Sequence, residues 1–259
     1  PSECPSRRKP CRLAFVAFAL VVRFWFHLTT AIASYGRARA GARIATGSQT
    51  VGTCCGDRGV GYHARMALFE AGHIGVQFRR DGQPFAPFAD VGFSLEAGCL
   101  YNLTGPSGSG KSTLLNACAL MLPRSGGTLA LEGVPVDRFK PTEWRRRVCL
   151  VPQAASLVPG TVRDNLLFPW TLKVNAGSPK PDDDVLNEML SLAMLDGVML
   201  DHAAAQLSGG QLARVALLRA FATRPTVLLL DEVEAALDEE SAVAVSRLTR
   251  AMLAGGAAC

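Results

Sequence analysis

No Cys-x-x-Cys pair occurs in this 259-residue chain, although it holds eight cysteines. That absence removes the commonest ligand spacing of a structural zinc site. No internal repeat is visible, so whatever unit the sequence encodes is present once. There is no methionine before Met66 and no histidine after His202. A long unbroken apolar run is lacking too: Leu13–Val22 is cut off by Arg23 and then His27. A central charge costs about 2.5–3.5 kcal/mol on membrane-insertion scales, which argues against a simple span. Basic surplus is missing from most of the chain. Residues 1–65 carry ten Lys/Arg against two Asp/Glu, whereas residues 66–259 carry seventeen against twenty. The net charge of +5 therefore belongs to the N-terminal segment, and the rest has no bulk nucleic-acid signature.

What is there falls into two unlike parts. Residues 1–65 read as a basic segment extraneous to the domain, with Gly, Ala, Arg, Ser and Thr over 34–65 and no sustained period, a composition of loop or disorder. Within it, Arg7, Arg8, Lys9 and Arg12 precede Leu13–Val22, and Ala31-Ile32-Ala33 follows. That order leaves three readings open: unrelated sequence, a membrane-associating helix, or a secretory signal. Residues 66–259 read as the domain proper. Ile74, Val76 and Phe78 alternate, as do Val91, Phe93 and Leu95, which predicts two half-buried strands with a turn at Asp81-Gly82. Leu100–Thr104 and Thr226–Leu230 are compact β-type runs with helical stretches between them. Strands alternating with helices predict an α/β fold with a parallel sheet core. Cys99, Cys118 and Cys149 sit among apolar residues and read as buried reduced thiols.

The chemistry begins at Gly105-Pro106-Ser107-Gly108-Ser109-Gly110-Lys111-Ser112, a full match to G-x-x-x-x-G-K-[ST]. Glycines let successive amides converge on phosphate oxygens, and the following helix, expected from Lys111 to Met121, points its positive end at the same anion. Lys111 is placed to reach the β- and γ-phosphates, and the Ser112 hydroxyl to ligate Mg²⁺ beside Thr113. An apolar strand before and an apolar helix after make this a phosphate-binding loop of the P-loop NTPase type. The run Val227–Leu230 then ends in Asp231-Glu232. Asp231 at the carboxyl end of a buried strand suits Mg²⁺. Side chains alternate along a strand, so Glu232 points elsewhere and is placed to take a proton from attacking water.

A more specific signal is Leu207-Ser208-Gly209-Gly210-Gln211 ahead of a helix over Leu212–Ala222 that carries Arg214 and Arg219. Ser208 is a plausible N-cap. This stretch resembles the signature of ATP-binding cassette (ABC) ATPases. Gln153 in Val151-Pro152-Gln153 resembles that family's Q-loop glutamine, a contact to Mg²⁺, and Ala236-Leu237-Asp238 resembles its D-loop, which crosses the dimer interface. The resemblance covers about residues 71–259. It implies a P-loop core with an antiparallel β subdomain near 72–98 and a helical subdomain near 155–215. It further implies ATP and Mg²⁺ as cofactors, hydrolysis of ATP, and a head-to-tail homodimer in which Ser208, Gly209, Gly210 and Gln211 meet the ATP of the opposite protomer. A separate membrane-spanning permease subunit and a cytoplasmic place on the inner face of the cell membrane also follow from it. A soluble ABC ATPase without transport, or a nucleotide-binding module without activity, are the alternatives.

A narrower likeness links Phe139-Lys140-Pro141, Gly160–Trp170 and Asp231-Glu232 followed by Ala236–Ser241 to the ATP-binding subunits of bacterial iron-export (Fet/Ybb-type) transporters, and implies metal export. There are departures from the family pattern. The family's histidine after the D-loop has no counterpart up to Cys259, so the resemblance implies a C-terminally truncated cassette. Val233, Glu234 and Ala235 replace the usual Pro-Thr-Ser. For the residue that stacks on adenine, Arg80, Phe78 and Phe85 all stand near the expected place.

Overall fold

Two β-type runs separated by a glycine turn should pair, and they do. In the computed structural model, which describes residues 44–46, 49–53, 67–80, 82–154, 156–233 and 239–259, strand β3 (Phe69–Arg80) pairs antiparallel with β4 (Gln83–Leu95). Gly82 takes the left-handed conformation that the tight turn requires (φ 79°). The alternation predicted for Ile74 and Val76 is realised as full burial, with Val91 and Leu95 buried from the partner strand. On its other edge β3 pairs with β6 (Gly126–Leu131), and β7 (Val134–Pro135) closes the layer in the order β4-β3-β6-β7. Neither β6 nor β7 was expected from the sequence. Strand β6 opens on Gly126-Gly127, and only Leu129 and Leu131 carry the alternation.

Beneath this layer lies the first core. Trp144, on helix α2 (Pro141–Arg147), is fully buried against Phe69 and Phe139, and its indole N–H donates to the Cys118 carbonyl at 2.8 Å. The buried indole thus keeps its hydrogen bond while adding a large apolar surface. Cys118 ends helix α1 (Lys111–Cys118), which follows the short strand β5 (Tyr101–Thr104).

The second core is helical. It gathers α3 (Val162–Leu167), α4 (Asp183–Leu192), α5 (Gly209–Ala222) and α6 (Glu239–Ala254) around Leu166, Leu186, Leu217, Leu218 and Leu248. Helices α3 and α4 fall inside the expected insertion near 155–215, whereas α5 starts at Gly209 and runs past it. Between the two cores, β8 (Val148–Val151) and β9 (Val227–Leu230) form a parallel pair in the register Val151 to Leu230.

Strand β5 does not pair directly with β9. Residues 257–259 lie between them: Ala258 exchanges bonds with Thr226 and Leu228 on one side, and Cys259 bonds Tyr101 and Cys99 on the other. On its outer edge β5 pairs antiparallel with β2 (Gln49–Thr53), which pairs with β1 (Ile44–Thr46). These two strands lie within 34–65, where composition read as loop, because short strands without a hydrophobic period leave no trace in a pattern analysis. The readings of Leu13–Ala33 lie outside the described residues. Cys118 and Cys149 are free thiols, as expected, but Cys99, read as a reduced thiol, is disulfide-bonded. Among the described residues no helix is long and apolar enough to cross a membrane.

Candidate functional site

The glycine-rich loop leaves β5 and enters α1 at Gly110, whose φ of 93° is the left-handed N-cap geometry that a side chain resists. Gly108 is likewise left-handed at 77°. A methyl group on Gly110 would come within 2.9 Å of the Phe88 ring and 3.0 Å of Pro87, so the loop is backed by the middle of β4. Gly105–Gly108 are exposed, with their amides at the positive end of α1. In this arrangement Lys111 Nζ donates to the carbonyls of Gly105 (3.1 Å) and Pro106 (3.3 Å), folding back over the loop.

Four further side chains converge on Lys111 because of strand geometry. Asp231 follows the last residue of β9 and is buried, and its backbone N–H donates to the Val151 carbonyl at 3.0 Å. Ser112 Oγ donates to Asp231 Oδ1 at 2.8 Å, bringing α1 and the end of β9 to one point. Val151 and Leu230 are partners in the parallel register, so Gln153 and Glu232, each two residues further on, emerge side by side. Gln153 Nε2 donates to Glu232 Oε2 at 3.2 Å, while Glu232 Oε1 sits 3.8 Å from Lys111 Nζ. Glu232 itself has φ 48°, a left-handed backbone, which turns its carboxylate out of the strand direction. Sequence reasoning separated Asp231 from Glu232 by strand alternation alone; the left-handed backbone at Glu232 is a second cause.

The oxygens of Ser112 and Asp231 are a hard-donor pair beside a phosphate cradle, and they fit Mg²⁺ in chemistry and in number, since that ion takes few protein ligands and keeps its phosphate and water partners. Among the described residues no cluster of His, Cys, Asp and Glu is built to hold a metal by itself. Here the nucleotide phosphates would complete the shell.

The signature residues lie at the start of α5. Ser208 Oγ accepts from the Gln211 N–H at 3.3 Å, and Gln211 Oε1 accepts from the Ser208 N–H at 3.0 Å, a reciprocal capping box. Ser208 and Gly209 are exposed, which leaves the helix N-terminus open to an anion from outside. Asp238 lies outside the described residues, as do Glu234 and Ala235. Of the residues weighed for adenine, Phe78 is partly buried on the first core and Phe85 is exposed. Phe88, which sequence reasoning passed over, stands where a side chain on Gly110 would have to go.

Two arginines of α5, the buried Arg214 and the half-buried Arg219, also escaped assignment. Arg214 donates to the carbonyls of Ala193 (3.3 Å) and Met194 (2.8 Å) and meets Glu240 Oε1 at 3.4 Å. Arg219 reaches the chain just beyond Gln153. The only signal for either was an arginine on the apolar face of a helix.

Comparison with known proteins adds to this geometry. The profile described as "ABC transporter" matches residues 88–235. The probable iron export ATP-binding protein FetA of Escherichia coli (strain K12) is 40% identical over 152 residues, covering 59% of this chain and 66% of that protein. The putative ABC transporter ATP-binding protein YjkB of Bacillus subtilis (strain 168) is 37% identical over 174 residues, covering 67% of each. The chain thus spans about two thirds of the length of these relatives. Among solved structures, a bacterial ABC transporter cassette in its dimeric form is 25% identical, with a TM-score of 0.62, over 73% of this chain and 84% of that one. A post-hydrolysis dimer of that cassette with ADP and Pi aligns at a TM-score of 0.63 and 25% identity, over 74% and 85%.

Proposed function

Because the chain belongs to the ABC transporter family, we propose that it is the ATP-binding and ATP-hydrolysing subunit of a transporter, driving a separate membrane subunit. The observation that carries this is the convergence of Lys111, Ser112, Gln153, Asp231 and Glu232 at the mouth of the glycine-rich loop. Each then has a task. The backbone N–H groups of Gly105–Thr113 (all but Pro106, which has none) and the N-terminus of α1 bind the β- and γ-phosphates of ATP, and Lys111 exchanges the Gly105 and Pro106 carbonyls for phosphate oxygens. Ser112, Asp231 and Gln153 would hold Mg²⁺, which when bound neutralises charge on the β- and γ-phosphate oxygens. Glu232 takes the proton of the attacking water as its oxygen bonds the γ-phosphorus. The bond from that phosphorus to the bridging oxygen breaks, and ADP leaves with the electron pair.

The exposed capping box at Ser208–Gln211 serves the ATP of a second copy, with Asp238 at the interface. The dimeric form of the similar cassette supports this pairing. The likeness to a protein named for iron export supports a metal ion as the cargo, carried through the permease, with this subunit on the cytoplasmic face of the membrane. Phosphate release by the full chain with MgATP, against Lys111→Ala as control, tests the hydrolytic role. Equal release by both would overturn it. Cellular iron accumulation on deletion of the encoding gene tests the cargo, and unchanged iron content would remove it.

A further inference from the structure

The segment Pro152–Gly160 carries Gln153 away from β8 and ends at the Thr161 cap of α3. One end is set by the pairing of Val151 with Leu230. The other is clamped by the fully buried Asn165, whose side chain accepts from the Val158 N–H at 2.8 Å and donates to the Val158 carbonyl at 2.9 Å. Between these anchors Arg219 reaches across from α5 and donates from Nη2 to the Ser156 carbonyl at 2.8 Å. Its guanidinium stands 6.0 Å from the centre of the Phe168 ring. Among the described residues Arg219 makes no ion pair, and burial pulls its pKa below the usual arginine value. A half-desolvated cation without a counter-ion is a cost, and here it is offset by a backbone carbonyl and an aromatic face. An arginine serving solubility alone would extend into water instead.

We propose that Arg219 is a positioning residue that ties the Gln153 loop to the helix bearing Ser208–Gln211. Arg219 lies eleven residues past Ser208 on α5, about 16 Å along a helix rising 1.5 Å per residue. A shift of that helix, as when its N-terminus engages the nucleotide of a second copy, is thereby passed to the chain three residues beyond Gln153. Gln153 in turn holds Glu232. The inference rests on the reading above for the role of Gln153.

Two measurements on the full chain test it. Hydrogen–deuterium exchange without nucleotide should show amides 154–160 exchanging about fivefold faster in Arg219→Lys, which lacks the planar fork, with α5 unchanged. Unchanged exchange over 154–160 would overturn the proposal whatever the activity. Where Arg219→Lys is poorly folded, Phe168→Leu removes the ring and should move the same amides. In steady-state hydrolysis Arg219→Lys should lower kcat about tenfold with KM for ATP within about twofold. In a Gln153→Ala background the same change should lower kcat by less than about twofold. Equal losses in both backgrounds would mean that Arg219 does not act through Gln153. A parent chain that releases no phosphate would count against the hydrolytic reading, while the exchange result still decides the role of Arg219.

Discussion

Chemistry at the level of single side chains is concentrated where backbone and side chain conspire. Lys111 is held by two loop carbonyls and lies near Glu232, so it is poised but not committed. Replacing it leaves phosphate charge with amides alone. Lys111→Ala should weaken ATP binding by at least about tenfold, since a charge-assisted contact is worth well over 1 kcal/mol. Isothermal titration with ATP and Mg²⁺ reads this directly. Glu232→Gln keeps the shape and the bond from Gln153 but loses the proton acceptor. Hydrolysis should slow by about 10²–10⁴-fold with ATP affinity retained, as measured by single-turnover phosphate release. The thiols make a different point. Burial pushes Cys118 up to about 12, so it is a packed apolar group and not a nucleophile. Iodoacetamide at neutral pH should leave Cys118 unlabelled in the folded chain and modify it in denaturant, as peptide mass spectrometry would show.

Among the elements, helix ends matter more than helix middles. Thr161 and Asp164 form the capping box that starts α3: Asp164 Oδ2 accepts from both the N–H and the hydroxyl of Thr161, and these bonds hold its carboxyl below the ordinary 3.8. A lowered folded-state pKa contributes stability that is fully present above 3.8 and is lost as pH falls through the lowered value. Asp164→Asn should therefore lose less melting temperature than the parent between about pH 5 and about pH 3, where the carboxylate titrates. Equal losses would show that the cap is not coupled to titration. Helix α5 depends on Arg214, which is buried and serves the carbonyls at the end of the α4 segment as well as Glu240 at the start of α6. Arg214→Met strands those acceptors. The expected destabilisation is on the order of 1–3 kcal/mol, visible as a lower urea midpoint.

On the proposed reading the molecule as a whole carries two half-sites. Its phosphate loop and its signature helix end are both exposed, and Ser208 and Gln211 are bonded to each other. If the nucleotide is shared between two copies, slowing hydrolysis should trap the pair. Glu232→Gln with ATP should elute as a dimer in size-exclusion chromatography with light scattering and return to monomer with ADP. A monomer under both conditions would remove the shared-site arrangement.

Much of this was legible from composition and spacing. The glycine-rich loop, the acidic end of β9 and the cap before α5 are local devices: glycine torsions, strand alternation and capping chemistry act within a few residues and leave their marks in order along the chain. Strand β6, with two glycines and a single pair of apolar positions, leaves no such mark, nor do β1 and β2. What brings Gln153 onto Glu232 is not local at all. It follows from the register of two strands seventy-nine positions apart, together with a left-handed turn at a glutamate. The same holds for Arg219, Arg214 and Phe88, whose partners lie far off in the chain. Sequence determined which groups are present and the local shape each one rides on. Tertiary structure alone decided which of them meet, because register and packing are set by long-range burial and not by neighbours in the chain.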